Sequence, residues 1–269
     1  MEKLILEYFR QMPDNRYKID QVDFIEKVRV SLDMTIIDIR RPEDYEKGHI
    51  RGAVNMPFGN DIALGLSKIP EGKPVFVYCY SGQTAGQAVL TMNIAGIYAR
   101  SVNLGWDLGI VKVEGFEDLV STELSILTET VRKIDPMVQE AVNEYYKGLS
   151  SVSDTTFRNY KISEEDVLSI IESNDENYFI LSVRRADDFK TEHIDTAVNI
   201  PFGNETADGF GILPKDKKIV VYCYTGQTSG QVTAALRLLG YDAVSMNAGM
   251  GTKANYPNGW MNKGYPVVR

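Results

Sequence analysis

The chain repeats itself once, and the repeat is long. Ala53 to Asn60 reads AVNMPFGN and Ala197 to Asn204 reads AVNIPFGN. Val77 to Gln87 (VYCYSGQTAGQ) returns as Val221 to Gln231 (VYCYTGQTSGQ). Cys79 and Cys223, His49 and His193, and Arg40 and Arg184 are each 144 residues apart, so the register holds without a gap from Arg40 to Gln87. Upstream, Tyr17-Lys18-Ile19 returns as Tyr160-Lys161-Ile162 at a spacing of 143. A period this long is not a solenoid unit, and it implies a whole domain copied once. The length of 269 residues suits two domains of ordinary size.

Between the copies, Ile134 to Leu149 is amphipathic and bracketed by Pro136 and Gly148, which predicts a helix. Glu144-Tyr145-Tyr146 echoes Glu7-Tyr8-Phe9, so this helix is expected to begin the second copy. The boundary is therefore placed near residue 130: domain 1 spans 1–130 with Cys79, and domain 2 spans 131–269 with Cys223.

Each copy reads as α/β. Thr35 to Ile39 and Tyr178 to Val183 are short apolar runs, expected to be strands. Pro74 to Tyr78 and Lys218 to Tyr222 are short and rich in β-branched and aromatic residues, as buried parallel strands are. A polar glycine-containing loop follows each. Helices are expected over Thr84 to Ala95 and Thr228 to Leu239, ended by Gly96 and Gly240. Further strands follow at Arg100 to Leu104 and Ala243 to Asn247. Strand, helix and strand make a right-handed crossover, so each domain is expected to be a parallel sheet flanked by helices.

The only cysteines, Cys79 and Cys223, stand at the C-terminal ends of buried strands, where α/β folds place their ligands. The loops are Cys79-Tyr80-Ser81-Gly82-Gln83-Thr84 and Cys223-Tyr224-Thr225-Gly226-Gln227-Thr228. Such a turn into a helix aims backbone N–H groups and the positive end of the helix dipole at one point. A thiol there loses its proton more readily than a free thiol of pKa about 8.5, and the thiolate is the nucleophile. The competing reading is a buried structural cysteine. A core-filling role does not call for a polar glycine loop at the same place in both copies.

Other chemistries lack their parts. No cluster of metal ligands surrounds either cysteine, so neither a metal nor another cofactor is expected. A Cys-His hydrolase needs a histidine base, but His49 and His193, in Gly48-His49-Ile50 and Glu192-His193-Ile194, read as loop anchors. A cysteine phosphatase needs an arginine closing the loop, and these loops close with Thr84-Ala85 and Thr228-Ser229. The net charge of -8 opposes nucleic acid as a partner. No stretch is long enough to span a bilayer. The N-terminus does not read as a signal peptide, which gives a cytoplasmic protein as the default, with export after loss of a leader as the alternative.

Together these residues resemble the rhodanese superfamily. The pattern is Asp38-Ile39-Arg40, Asp44-Tyr45, Gly48-His49-Ile50, Gly52-Ala53-Val54-Asn55, Pro57 and a strand ending in Cys79. The second copy carries Arg184, Asp188-Phe189, His193-Ile194, Ala197-Val198-Asn199, Pro201, Cys223 and a closing Gly264-Tyr265-Pro266-Val267. The resemblance implies two tandem rhodanese-like domains and sulfurtransferase chemistry. In that chemistry a cysteine thiolate takes sulfane sulfur from a donor, holds it as a persulfide and passes it to a thiophilic acceptor such as a thiol or cyanide-like anion. The six-residue loop fits the sulfurtransferases, whereas the related phosphatases have one residue more. Well-known tandem members usually lack the cysteine in their first copy, whereas this chain keeps both.

The second copy departs from the pattern at Ser182, in place of Asp38, and at Asp195-Thr196, in place of Arg51-Gly52. Neither loop holds Lys or Arg, which leaves the donor open between thiosulfate and an organic or protein persulfide. Trp106 reads equally as a pocket wall or as packing, Lys253 as a solvated lysine, and Tyr80 and Tyr224 as residues at the pocket mouth. Two other functions stay open: a non-catalytic binding or regulatory module and a thiol redox sensor.

Overall fold

The apolar runs form the strands expected of them, and the glycine loops lead into helices. The structure, a computed structural model, describes residues 1–127 and 132–269. The boundary placed near residue 130 lies outside the described residues. In chain order the elements begin with α1 (Glu2–Arg10), β1 (Lys18–Ile19), α2 (Gln21–Arg29), β2 (Thr35–Asp38), α3 (Pro42–Lys47), β3 (His49–Ile50) and β4 (Ala53–Asn55). They continue with α4 (Asn60–Gly65), β5 (Val75–Tyr78), α5 (Gln83–Ile94), β6 (Ala99–Val102), β7 (Val120–Ser121) and α6 (Pro136–Lys147). The remainder is β8 (Lys161–Ile162), α7 (Glu164–Ser173), β9 (Tyr178–Ser182), α8 (Ala186–Thr191), β10 (Val198–Asn199), β11 (Lys218–Tyr222), α9 (Gln227–Leu238) and β12 (Ala243–Met246).

These elements make two compact units. One is Tyr17–Gly148, the Cys79 unit, and the other joins Met1–Arg16 to Leu149–Arg269, the Cys223 unit. In the Cys79 unit a parallel five-stranded sheet has the order β4-β2-β5-β6-β1. In the Cys223 unit the order β10-β9-β11-β12-β8 is the same, strand for strand. Each sheet centres on the strand that ends at its cysteine. Val75, Phe76, Val77 and Tyr78 of β5 are all buried, as are Ile219 to Tyr222 of β11. Burial of each such side chain contributes about 1.5–3 kcal/mol, which ties the start of each cysteine loop to a buried central strand.

The helix expected over Ile134 to Leu149 forms over Pro136–Lys147, with Asp135 accepting from the N–H groups of Met137 and Val138 as N-cap. It packs in the Cys79 unit, however, and α1 packs in the Cys223 unit. The contacts are the same in both. Tyr145 donates to Gln87 Oε1 at 2.6 Å, and Tyr8 donates to Gln231 Oε1 at 2.5 Å. Gln87 and Gln231 are fully buried on α5 and α9, so each needs a phenol to avoid an unmet polar atom. The echo Glu-Tyr-aromatic marks the residues that meet this need, and each helix meets it on the cysteine-loop helix of the other copy.

Candidate active site

Each cysteine follows its central strand directly and is buried, with 2% of its surface exposed. Gly82 and Gly226 take φ of 91° and 93° at the N-caps of α5 and α9, a left-handed conformation that glycine adopts without strain. That turn aims the Gly82 N–H at Cys79 Sγ and the Gly226 N–H at Cys223 Sγ, both at 3.1 Å. The Ala85 N–H approaches Cys79 Sγ at 3.4 Å. Both helices begin one residue before the expected threonine, at Gln83 and Gln227, because the left-handed glycine already turns the chain into the helix. Both cysteines are free thiols.

Around Cys223 hydroxyls join the backbone donors. Burial pushes its thiol up, but the hydroxyls of Ser229 and Thr228 and the N–H groups of Ser229 and Thr225 hydrogen-bond the sulfur, and the thiol lies below its ordinary value. Hydrogen bonds to the charged form favour that form.

The outer side of each loop is held by backbone. Gly105 and Gly249 both have φ of 59°, and a Cβ on either would come within 2.5 Å of the cysteine carbonyl oxygen. That close approach lets Trp106 N–H donate to Cys79 O at 2.8 Å and Met250 N–H donate to Cys223 O at 2.7 Å.

The rim of each loop is a network that the loop sequences do not disclose. Tyr80 donates to Asp44 Oδ2 at 2.5 Å and accepts from the Arg41 N–H at 3.1 Å. Tyr224 donates to Asp188 Oδ2 and accepts from the Arg185 N–H at 3.2 Å. Hydrogen bonding from Tyr80, then Lys47 and Arg41, holds Asp44 well below the usual carboxylate range. Arg41 and Arg185 are the cations at the loop tyrosines of this rim, and both are exposed. Their signal was available as a pair of arginines at the repeat spacing, directly after Arg40 and Arg184.

The histidines are bound into the scaffold. His49 is fully buried and stacks on Tyr45, with Nδ1 2.8 Å from Tyr45 O and Nε2 3.0 Å from Glu123 O. His193 stacks on Phe189, with Nδ1 2.9 Å from Phe189 O. Trp106 is packed against the scaffold and also borders a cavity. It packs over the Arg40 guanidinium at 4.0 Å and stacks on Tyr78. It also lines a cavity of about 660 Å³ beside Tyr80, with Lys47, Asp107 and Phe116. Lys253 is exposed in a short 3-10 turn. Among the described residues no group of three or more His, Cys, Asp or Glu side chains is placed to hold a metal ion. Among them, too, no helix is long and apolar enough to cross a membrane.

A family model, the rhodanese-like domain, matches residues 23–112 and 163–251, one match around each cysteine loop and together more than half of the chain. The chain is a tandem member of the rhodanese superfamily. The thiosulfate sulfurtransferase PspE of Escherichia coli is 34% identical over 82 residues, which cover 29% of this chain and 78% of that protein. The putative sulfur carrier protein YrkF of Bacillus subtilis is 33% identical over 81 residues, covering 30% of this chain and 43% of its own. An uncharacterized protein of B. subtilis, YqhL, is 36% identical over 61 residues, which cover 23% of this chain. The matches thus span less than half the length of the two B. subtilis relatives, 43% and 48%. Among solved structures, a rhodanese-related protein from Thermoplasma volcanium is 30% identical with a TM-score of 0.34, over 40% of this chain and 96% of its own.

Proposed function

We propose that this rhodanese-like protein is a sulfurtransferase that carries sulfane sulfur as a persulfide on Cys79 and on Cys223. In this reading Tyr80 to Thr84 and Tyr224 to Thr228 form the two substrate-binding loops. The observation that carries the reading is one thiol geometry built twice: a sulfur at the end of the central strand, 3.1 Å from a left-handed glycine N–H that opens a helix. That arrangement stabilises a thiolate, and both histidines are held against backbone carbonyls, which suits transfer rather than Cys-His hydrolysis. The name of the E. coli relative, a thiosulfate sulfurtransferase, supports the same class.

In the first half-reaction the thiolate attacks the outer sulfur of the donor. The Sγ–S bond forms, the donor's S–S bond breaks, and its electron pair leaves with sulfite or with a thiolate. In the second, a thiol or cyanide-like acceptor attacks the outer sulfur of the persulfide, and the electron pair of the Sγ–S bond returns to Sγ. Positive charge for an anionic donor comes from outside the loops, from Arg41 and Arg185 at the loop tyrosines. Each is already paired, Arg41 with Glu43 and Asp44 and Arg185 with Asp188. A donor of low charge density, an organic or protein persulfide, therefore suits these loops better than a dianion.

Intact mass after incubation with thiosulfate, and separately with a low-molecular-weight persulfide, tests the reading. One added sulfur on each cysteine is expected, removed again by cyanide. No gain with either donor favours a binding module, and a gain of oxygen alone under mild peroxide favours a redox sensor.

A further inference from the structure

The two loops differ in one buried group beside the sulfur. After the closing threonine the first has Ala85 and the second has Ser229. Ser229 is fully buried, and hydrogen bonding from its hydroxyl is among the causes that lower the Cys223 thiol against the effect of burial. The same oxygen lies 2.9 Å from Ser245 Oγ and 3.0 Å from Gly226 O. Ser245 is fully buried on β12, the strand beside β11. Its counterpart in the repeat, Ser101, is kept on β6, where its hydroxyl faces Tyr17 O at 3.5 Å. The first unit thus retains the outer hydroxyl but has no inner one at Ala85 to connect it to the sulfur.

We propose that Ser245 and Ser229 form a two-hydroxyl relay onto Cys223 that makes this cysteine the first to load sulfur. The proposal rests on the sulfur-transfer reading above. Ser229 has a single proton. While the thiol is neutral, that proton satisfies Gly226 O. When the thiol ionises, the hydroxyl turns to the sulfur, and Ser245 donates into the Ser229 oxygen behind it. A hydroxyl donating to an anion is a charge-assisted bond, and a second donor behind it strengthens the first. Water has no access to replace either hydroxyl, since both serines are fully buried.

The relay acts on both half-reactions. It raises the thiolate fraction that attacks the donor, and it makes Cys223 Sγ the better leaving group when the acceptor takes the outer sulfur. Ser229 and Ser245 are positioning residues, because they act through the sulfur and not on the substrate.

The test is the pH profile of iodoacetamide alkylation, followed cysteine by cysteine by peptide mass spectrometry. Wild type, Ser229→Ala, Ser245→Ala and Ala85→Ser are compared, with circular dichroism as the check on folding. Ser229→Ala is expected to raise the Cys223 midpoint by about one pH unit, the effect of one charge-assisted hydrogen bond. Ser245→Ala moves it part of the way, and Ala85→Ser speeds Cys79 alkylation at neutral pH. With donor below one equivalent, sulfur appears first on Cys223 in wild type and evenly in Ser229→Ala. An unmoved Cys223 profile in folded Ser229→Ala, or unmoved Cys79 reactivity in folded Ala85→Ser, overturns the relay. If one of the two variants does not fold, the other decides. Profiles that shift as expected in a protein that takes sulfur from no donor leave the relay standing and overturn the sulfur-transfer reading and the loading order.

Discussion

With both Cys79 and Cys223 changed to serine, sulfur transfer is expected to fall by at least about a thousandfold, the scale on which loss of a nucleophile acts. Either single change leaves part of the activity, and Cys223→Ser removes the larger share because of its hydroxyl relay. Serine is the right probe because it keeps the shape of the side chain. Its oxygen is not ionised at neutral pH and cannot hold sulfur as a persulfide. Both loops present the same glycine N–H to the sulfur, which is why both are expected to turn over. The measurement is persulfide yield and turnover for the wild type, both single variants and the double variant. Complete loss in one folded single variant would mean that the other unit is a scaffold.

What the sequence discloses and what it hides follow from how far each contact reaches along the chain. The cysteine loops are legible because strand, loop and helix are contiguous and are written twice, from Val77 to Gln87 and from Val221 to Gln231. The sheets are legible because β5 and β11 are buried on both faces and so read as continuous apolar runs. The rim network is not, since Tyr80 meets Asp44 across 36 residues and nothing in a neutral loop announces the carboxylate that holds it. The exchange of α1 and α6 is hidden for a related reason. Tyr8 and Tyr145 identify the phenols that buried glutamines require, but either phenol fits either glutamine, so the pattern does not say which sheet each helix covers. Ser229 was visible only as a conservative-looking difference from Ala85. Its weight comes from Ser245, sixteen residues away on the adjoining strand.

The departure at Ser182 carries an expected difference in stability between the units. In the Cys79 unit Arg40 pairs with Asp38 at 2.6 Å, with the two side chains 4% and 0% exposed, and also donates to Gly48 O at 2.7 Å. Burial works against the Arg40 charge, and the hydrogen bond to Asp38 more than restores it. Arg40→Ala leaves a carboxylate alone in the interior, which costs about 3–5 kcal/mol. In the Cys223 unit the position of Asp38 is held by Ser182, and Arg184 donates to Glu192 O at 2.7 Å while its Nε has no hydrogen-bond partner among the described residues. Arg184→Ala leaves the neutral hydroxyls of Ser182 and Tyr222 behind in place of a fully buried carboxylate and relieves an unmet buried donor, so its cost stays within the roughly 1–3 kcal/mol of a lost hydrogen bond and some packing. Native-state hydrogen exchange read on the β2 and β5 peptides, and separately on the β9 and β11 peptides, measures the two changes in the same protein. Equal losses in the two units would show that Arg40 acts through its packing on Trp106 and Tyr78 and not through the ion pair.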